Sequence, residues 1–248
     1  SWTLTSRGEF LKEEHPLTLA DAAIEYAGAF TKMWSRLPEA LANDTAWEAP
    51  DIFEQVARDE QRREGHHRML RSYARHDYAV VCGALGLRGD EHVIDAGGGV
   101  GVLAKMILET HPGARVTVLE RPEVVELADL SNERLCWRGV DLFEPWEIEG
   151  DVVVMSRVLH DWDDANALEL LLGARAALPT GGRLYIVEML VPEGSVAGAL
   201  CDLHLLMATG GRERSVERFG RLLDEAGFEL IEERQLPALP SILVGVAK

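Results

Sequence analysis

From residue 91 onward, apolar strand-like runs alternate with helical patterns, and this order restricts the chain to very few folds. Residues 92–95, 115–120, 135–139, 152–155 and 183–187 read as short buried strands. Helical patterns at 100–110, 123–129 and 165–178 separate them. Strands joined through helices lie parallel, and right-handed crossovers place those helices on both faces of one sheet. After a helix at 215–226, ended by Gly227, strands at 228–233 and 242–247 flank a short Pro-containing loop. Such a pair closes the sheet as an antiparallel hairpin. The expected fold is α/β: a Rossmann-like sheet of seven strands, mostly parallel, preceded by a helical segment.

That segment, 17–90, has no clear strand. Helices are expected over 20–41 and 52–87, interrupted by Pro38 and the polar stretch 43–51. Residues 1–16 read as a short strand and turn without a partner, and 91–248 as the main domain. The total of 248 residues suits one large α/β domain with an appendage.

The first strand runs into Asp95-Ala96-Gly97-Gly98-Gly99-Val100-Gly101. Glycines at a strand's carboxyl end let the backbone turn sharply and approach a ligand, and the helix that follows offers free amides. A dinucleotide fingerprint starting at Gly97 needs glycine at 102, where this chain has Val102; the acid-x-G-x-G-x-G spacing is met by Asp95, Gly97, Gly99 and Gly101. Glu120, ending the second strand, can accept both hydroxyls of a ribose. Asp141, after the third, can accept from an adenine amino group. Taken as a tight turn alone, the loop would leave these two acids unexplained.

Val158-Leu159-His160-Asp161-Trp162-Asp163-Asp164 follows the fourth strand and brings His160 to the same edge. An imidazole suits proton removal from a hydroxyl near neutral pH. Glu188, ending strand five, and Glu213, within Gly210-Gly211-Arg212-Glu213-Arg214-Ser215, can steady it. Asp163 and Asp164 read as caps of the next helix. His66, His67 and His76 read as solvated or partly packed, and His15, His92 and His111 as structural or exposed. His204, on a helix expected at 199–208, can face the same cavity as His160.

The formal net charge of −17 argues against a nucleic acid or an anionic membrane as partner. Cys82, Cys136 and Cys201 are widely spaced without a CxxC pair, which fits reduced thiols. No apolar run reaches the roughly 18 residues of a membrane span, and nothing reads as a signal peptide. A cytoplasmic location follows by default.

The ordered set DAGGGVG, VLERPEVV, GVDLFEP, VLHDWDD, LYIVEML and GGRERS resembles the small-molecule O-methyltransferases of the caffeic acid and hydroxyindole type, including bacterial enzymes that decorate antibiotics and pigments. The resemblance covers almost the whole chain. It implies a methyltransferase sheet and S-adenosylmethionine as cofactor, held by Asp95, Gly97, Gly98, Gly99, Gly101, Glu120, Arg121, Asp141, Leu142, Ser156 and Arg157. VLERP stands where the family usually has DLP, so Glu120 replaces an aspartate. It implies His160 as general base flanked by Glu188 and Glu213, with a small aromatic or polyketide-like acceptor lined by Met69, Tyr73, Asp161, Trp162, His204 and Met207. It further implies an N-terminal winged-helix dimerisation domain, making the full-length protein a homodimer; residues 1–16 resemble that domain's last strand and exit linker. The resemblance implies that most of that domain is absent from this chain, and that the face near Trp2 and Trp34 is where it would pair. No resident metal is expected. Two other readings share the fold: a metal-dependent C-methyltransferase of α-keto acids using His160, Asp161 and His204, and a relative that binds S-adenosylmethionine without methylating.

Overall fold

The computed structural model describes residues 3–42, 47–50, 52–128, 132–191 and 196–248. Trp2, part of the polar break expected at 43–51, and Asp129 at the end of the expected helix 123–129 lie outside them.

The helical segment comprises α1 (Ala20–Ala27), α2 (Ala29–Trp34), α3 (Leu37–Ala42), α4 (Ile52–Ala57) and the 25-residue α5 (Glu60–Ala84). The single helix expected over 20–41 is three. Gly28 breaks the first from the second with an irregular backbone (φ −110°, ψ −99°). Pro38 sits in the first turn of α3, where a missing N–H is tolerated, so the second break falls just before it rather than at it. Asp59 caps α5, its carboxylate accepting from the Arg62 amide, and so divides the helix expected over 52–87. Residues 3–5 form no strand; Gly8–Leu11 is instead a 3-10 turn.

The sheet is built from β1 (His92–Ala96), β2 (Arg115–Glu120), β3 (Leu135–Gly139), β4 (Val152–Ser156), β5 (Arg183–Glu188), β6 (Phe228–Arg234) and β7 (Ser241–Ala247). Between them run α6 (Val102–Thr110), α7 (Pro122–Val125), α8 (Asp164–Ala176), α9 (Val196–Ala208) and α10 (Val216–Glu225). The strand order is β3-β2-β1-β4-β5-β7-β6. β7 is antiparallel to both its neighbours, the closing hairpin read from the sequence, and the remaining pairs are parallel.

Alternation along each strand feeds two cores. Ile94, Val153, Met155, Leu184, Ile186 and Leu243 pack under α8 and α10. Val93, Val152, Val154, Tyr185, Val187 and Val244 pack under α6 and the C-terminal half of α5. A third core holds Ala22, Phe30, Ile52, Val56, Met69 and Ala208. At 1.5 Å per residue α5 spans about 37 Å. Its N-terminal half therefore serves the helical core while its C-terminal half serves the sheet. The boundary expected near residue 90 falls after a helix already committed to both.

Chain order reverses between β1 and β4, which are hydrogen-bonded neighbours with Ala96 opposite Met155. In open α/β sheets the crevice at that reversal is the natural ligand site. Both loops singled out in the sequence leave the sheet there.

Candidate active site

The loop after β1 has the backbone its glycines anticipate. Gly97, Gly99 and Gly101 have φ of 73°, 57° and 73°, a region unfavourable to any residue with a Cβ. A Cβ on Gly97 would lie 2.6 Å from Val158 Cγ2, and one on Gly101 2.6 Å from Trp137 Cη2. These two are therefore also closed by packing. A Cβ on Gly99 would meet nothing within 4 Å, so this glycine faces open space. Gly101 caps α6, which begins at Val102 rather than at residue 100.

The acids around the loop behave differently from one another. Asp95 is buried, and neither carboxylate oxygen has a hydrogen-bond partner. Burial first, then the Glu120 charge, pushes its pKa up to about 7. An unsatisfied buried carboxylate is expensive unless a cationic or donor ligand completes it. Glu120 turns back onto the loop: Oε2 accepts from the Gly99 amide at 2.9 Å and Oε1 from the Arg121 amide at 2.8 Å, and burial raises its pKa. Asp141 is exposed just past β3, with Oδ1 accepting from the Phe143 amide at 3.0 Å. Leu142 Cδ1 would lie 3.7 Å from a Cβ on Gly97. Arg121 points along the surface to Glu123, 2.7 Å away.

At the end of β4, two expected cofactor residues are tied to α5. Ser156 Oγ donates to the Tyr78 hydroxyl at 2.7 Å. The guanidinium of Arg157 pairs with Asp77, and Arg157 itself sits at φ 57°. A non-glycine residue held there marks a strained position of the kind found at functional sites. Arg157 Nε stays buried without a partner.

The 3-10 turn Leu159–Asp161 presents His160. Its Nδ1 donates to Glu213 Oε1 at 3.1 Å and lies 3.1 Å from Glu188 Oε2. Glu188, fully buried, holds its other oxygen against the Val158 and Leu159 amides, both at 3.0 Å. Burial alone would lower the imidazole pKa. Glu188, Asp161 and Glu213 together outweigh it and push it up to about 10. Burial, with Glu213 and Asp161 beside it, raises Glu188 to about 7. Burial likewise raises Asp161 to about 6. With Nδ1 committed to the carboxylates, Nε2 is the nitrogen available to an acceptor. Asp163 caps α8 through the Asn166 amide, as expected. Asp164 does not act as a cap; it pairs with Arg214 and Arg218.

The expected acceptor wall is only partly assembled as anticipated. Trp162 stacks on Phe53 at a 6.0 Å centroid distance and meets Phe143 edge-on. Tyr73 is half-buried on α5, its hydroxyl paired with that of Tyr26, and burial pushes that hydroxyl's pKa well above the ordinary tyrosine value. Met69 and Met207 are 2% and 0% exposed and so offer a ligand no surface. His204 Nδ1 accepts from Trp34 Nε1 at 3.2 Å, and its ring packs against Phe30 and Tyr26. It is thus built into an aromatic box. Among the described residues, the single group of three side chains whose ligand atoms lie within 4.8 Å is His160, Glu188 and Glu213. The alternative set of His160, Asp161 and His204 is not brought together.

Asp77, Tyr78, Phe53 and Arg214 were not picked out from the sequence. Arg214 adjoins Glu213 in the same short motif, and that adjacency was the available signal. The other three lie in helices whose local sequence carries no chemistry of its own.

Among the described residues no helix is long and apolar enough to cross a membrane. A family model described as an O-methyltransferase domain matches residues 34–229. The chain is 37% identical over 167 residues to phenazine O-methyltransferase PhzM of Lysobacter antibioticus, covering 63% of this chain and 48% of that protein. It is 32% identical over 231 residues to mitomycin biosynthesis 6-O-methyltransferase of Streptomyces lavendulae, covering 88% and 65%. The chain thus spans about half to two-thirds of the length of these curated relatives. The crystal structure of LaPhzM superposes with a TM-score of 0.90 at 27% identity, covering 99% of this chain and 80% of that one. Human N-acetylserotonin methyltransferase, solved in complex with SAM, gives 0.89 at 25% identity, covering 98% and 74%. With the seven-stranded sheet, the glycine loop and the buried His-Glu cluster in one frame, the chain belongs to the O-methyltransferase domain family.

Proposed function

We propose that this protein is an S-adenosylmethionine-dependent O-methyltransferase acting on a hydroxyl of a small aromatic or polyketide-like molecule, with His160 as general base. The observation that carries the reading is His160 Nδ1 held 3.1 Å from each of two buried carboxylates, on the turn beside the glycine loop. The names of the relatives from phenazine, mitomycin and puromycin pathways support an acceptor of this class and a role in antibiotic biosynthesis.

The cofactor side fits. Asp95 has two orphaned buried oxygens facing the loop, and Gly99 opens onto space that a side chain would fill. Asp95, Gly97, Gly98, Gly99, Gly101, Glu120, Asp141 and Leu142 would hold the molecule, with Arg121, Ser156 and Arg157 around it. S-adenosylmethionine, when bound, supplies an electrophilic methyl group on sulfur.

The chain's own part is positioning and proton removal. His160 Nε2 receives the hydroxyl proton, while Glu188 and Glu213 stabilise the imidazolium that results. A phenol has a pKa near 10, so carboxylates that raise the imidazole pKa bring it closer to that of the hydroxyl and reduce the cost of moving the proton between them. Neutral His160 facing a phenol and imidazolium facing a phenolate are then two placements of one proton. Trp162, Phe53 and Tyr73 present ring faces that orient a planar acceptor, and most of the rate arises from that orientation. We further propose that the full-length protein is a cytoplasmic homodimer. The three free cysteines and the apolar side chains exposed on α1 and α9, such as Ile24 and Leu200, support this.

His160→Ala should abolish methyl transfer to a hydroxyarene while leaving S-adenosylhomocysteine affinity, read by calorimetry, within about threefold of wild type. Turnover that survives the substitution overturns the reading.

A further inference from the structure

We infer that Arg214 is a positioning residue for the His160 base, acting through the backbone of the turn that carries it. The inference rests on the general-base reading above. The Arg214 side chain is completely buried. Its guanidinium donates from Nη1 to the Leu159 carbonyl at 2.7 Å, from Nη2 to the Trp162 carbonyl at 2.7 Å, and from Nε to Asp164 Oδ1 at 2.9 Å. Those three acceptors bracket His160 on both sides. A planar guanidinium presents its donors in a fixed fork, so three simultaneous bonds define the turn's orientation as well as its location.

Successive residues of the same short segment complete the grip. Gly211 lies so close that a Cβ there would come 2.0 Å from the His160 carbonyl oxygen. The Arg212 amide donates to that oxygen at 2.8 Å. Glu213 takes the imidazole, its own amide donating to Asp202 Oδ1 at 2.9 Å. The segment is in turn anchored at both ends. Arg214 bridges to Leu190 just beyond β5, and Ser215 caps α10. Asp164 steadies the outer end of the guanidinium, its second oxygen accepting from Arg218. Four consecutive residues therefore fix one turn, and the 3.1 Å spacing of His160 from Glu188 and Glu213 depends on that turn staying where it is.

A merely structural arginine would affect folding and cofactor binding along with activity. A positioning arginine changes the imidazole's environment first. The test uses the full chain labelled with 13C-histidine, the His160 resonance being assigned by its loss in His160→Ala. Glu188, Glu213, Asp161 and His204 are the titratable groups facing that ring. Arg214→Lys retains the charge but cannot reach three acceptors. Asp164→Asn loosens the clamp from its half-exposed end without leaving a buried hole, and serves where Arg214→Lys does not fold. Both variants should lower the His160 titration midpoint by about one unit or more. S-adenosylhomocysteine affinity should stay within about twofold. Methylation of 1-hydroxyphenazine or 2-hydroxynaphthoate, where wild type turns either over, should fall about tenfold or more in kcat with little change in KM. Midpoints unchanged in both variants overturn the proposal. Loss of S-adenosylhomocysteine binding together with the fold in Asp164→Asn also overturns it, by making the clamp structural. The shift needs no turnover, so it can appear even where His160→Ala shows that the general-base reading fails.

Discussion

Replacing Glu188 with Gln separates the electrostatic from the structural work of the cluster. The amide keeps the shape and leaves one carbonyl oxygen to accept from the Val158 and Leu159 amides, so the backbone contacts at 3.0 Å survive. What is lost is the negative charge 3.1 Å from His160 Nδ1. At an effective dielectric constant of about 20, that attraction is about 5 kcal/mol, nearly four pKa units. Glu188 is itself only partly ionised near neutrality, its pKa raised by burial to about 7, so the usable share is smaller. A fall of roughly two to three units is expected, from about 10 toward the ordinary histidine range. The base acts only once the complex of imidazolium and hydroxyl has lost a proton. Lowering the imidazole pKa therefore moves the acid limb of the pH–rate profile to lower pH. It also weakens the imidazolium formed during transfer, so the plateau should drop by about 10- to 100-fold. The assay is the pH dependence of kcat at saturating S-adenosylmethionine. An acid limb within half a unit of wild type, beside a lowered plateau, would refute the electrostatic argument and leave Glu188 a backbone tether.

Asp95→Asn should stabilise the ligand-free protein at pH 8 and leave it unchanged at pH 4. The buried carboxyl has its pKa raised from 3.8 to about 7, so its penalty is absent below the lower value and complete above the upper. The size is at most about 4 kcal/mol, read as a rise in Tm. The same variant should bind S-adenosylmethionine at least tenfold more weakly by calorimetry, because an amide cannot balance a cation; unchanged affinity would remove Asp95 from the cofactor set. Gly211→Ala should lower kcat by at least 100-fold with S-adenosylhomocysteine affinity nearly intact, since its Cβ would be driven into the His160 and Asp161 backbone. Wild-type kinetics in that variant would show that the turn tolerates displacement.

The legible parts of the molecule are those in which one stretch of chain carries its own explanation. The strands announced themselves because both sheet faces are buried, and Val152–Ser156 is apolar at every position but the last. Asp95 and the glycines could be read because strand, turn and helix succeed one another without a gap. Glu188 and Glu213 were predicted from strand ends and a short motif, and they meet the same imidazole nitrogen. Contacts between distant helices left no such trace. The partners of His204 are Tyr26, Phe30 and Trp34, about 170 residues away in sequence, and the helical pattern could not say which face of α1 and α2 would close on α9. Met69 and Met207 have the polarity of a pocket lining and the burial of a core. Pattern alone cannot separate these, because both demand an apolar side chain on an inward face. Leu135–Gly139 was legible as a strand although only Leu135 is buried in it, which shows how far the alternation of neighbouring elements carried the assignment.

The helical segment is more than a cover over the sheet. From one turn of α5, Asp77 and Tyr78 reach the last residue of β4 and the one after it, pairing with Arg157 and with Ser156 respectively. Tyr78 is buried and feels the Asp95 and Glu188 charges, and burial raises its hydroxyl pKa. About three turns earlier on the same helix, the region around His66 joins the aromatic box that holds His204. A rigid helix linking the two places makes the acceptor wall and the strand ends parts of one body. A shift of α5 would move the Ser156–Arg157 corner and the wall together, and Arg157, held at a left-handed φ, is the residue through which such a shift would be felt. The base is held by other elements, although the Glu213 amide donates to Asp202 on α9, the helix whose His204 sits in the aromatic box. His160 takes its position from Glu188 on β5 and from the segment 211–214, neither of which belongs to the helical segment. The fold thus grips the base from the sheet side and the acceptor wall from the helical side, and the two grips meet at β4. Removing α5 would withdraw the partners of Ser156 and Arg157 and expose the apolar sheet face that Val81 and Cys82 cover.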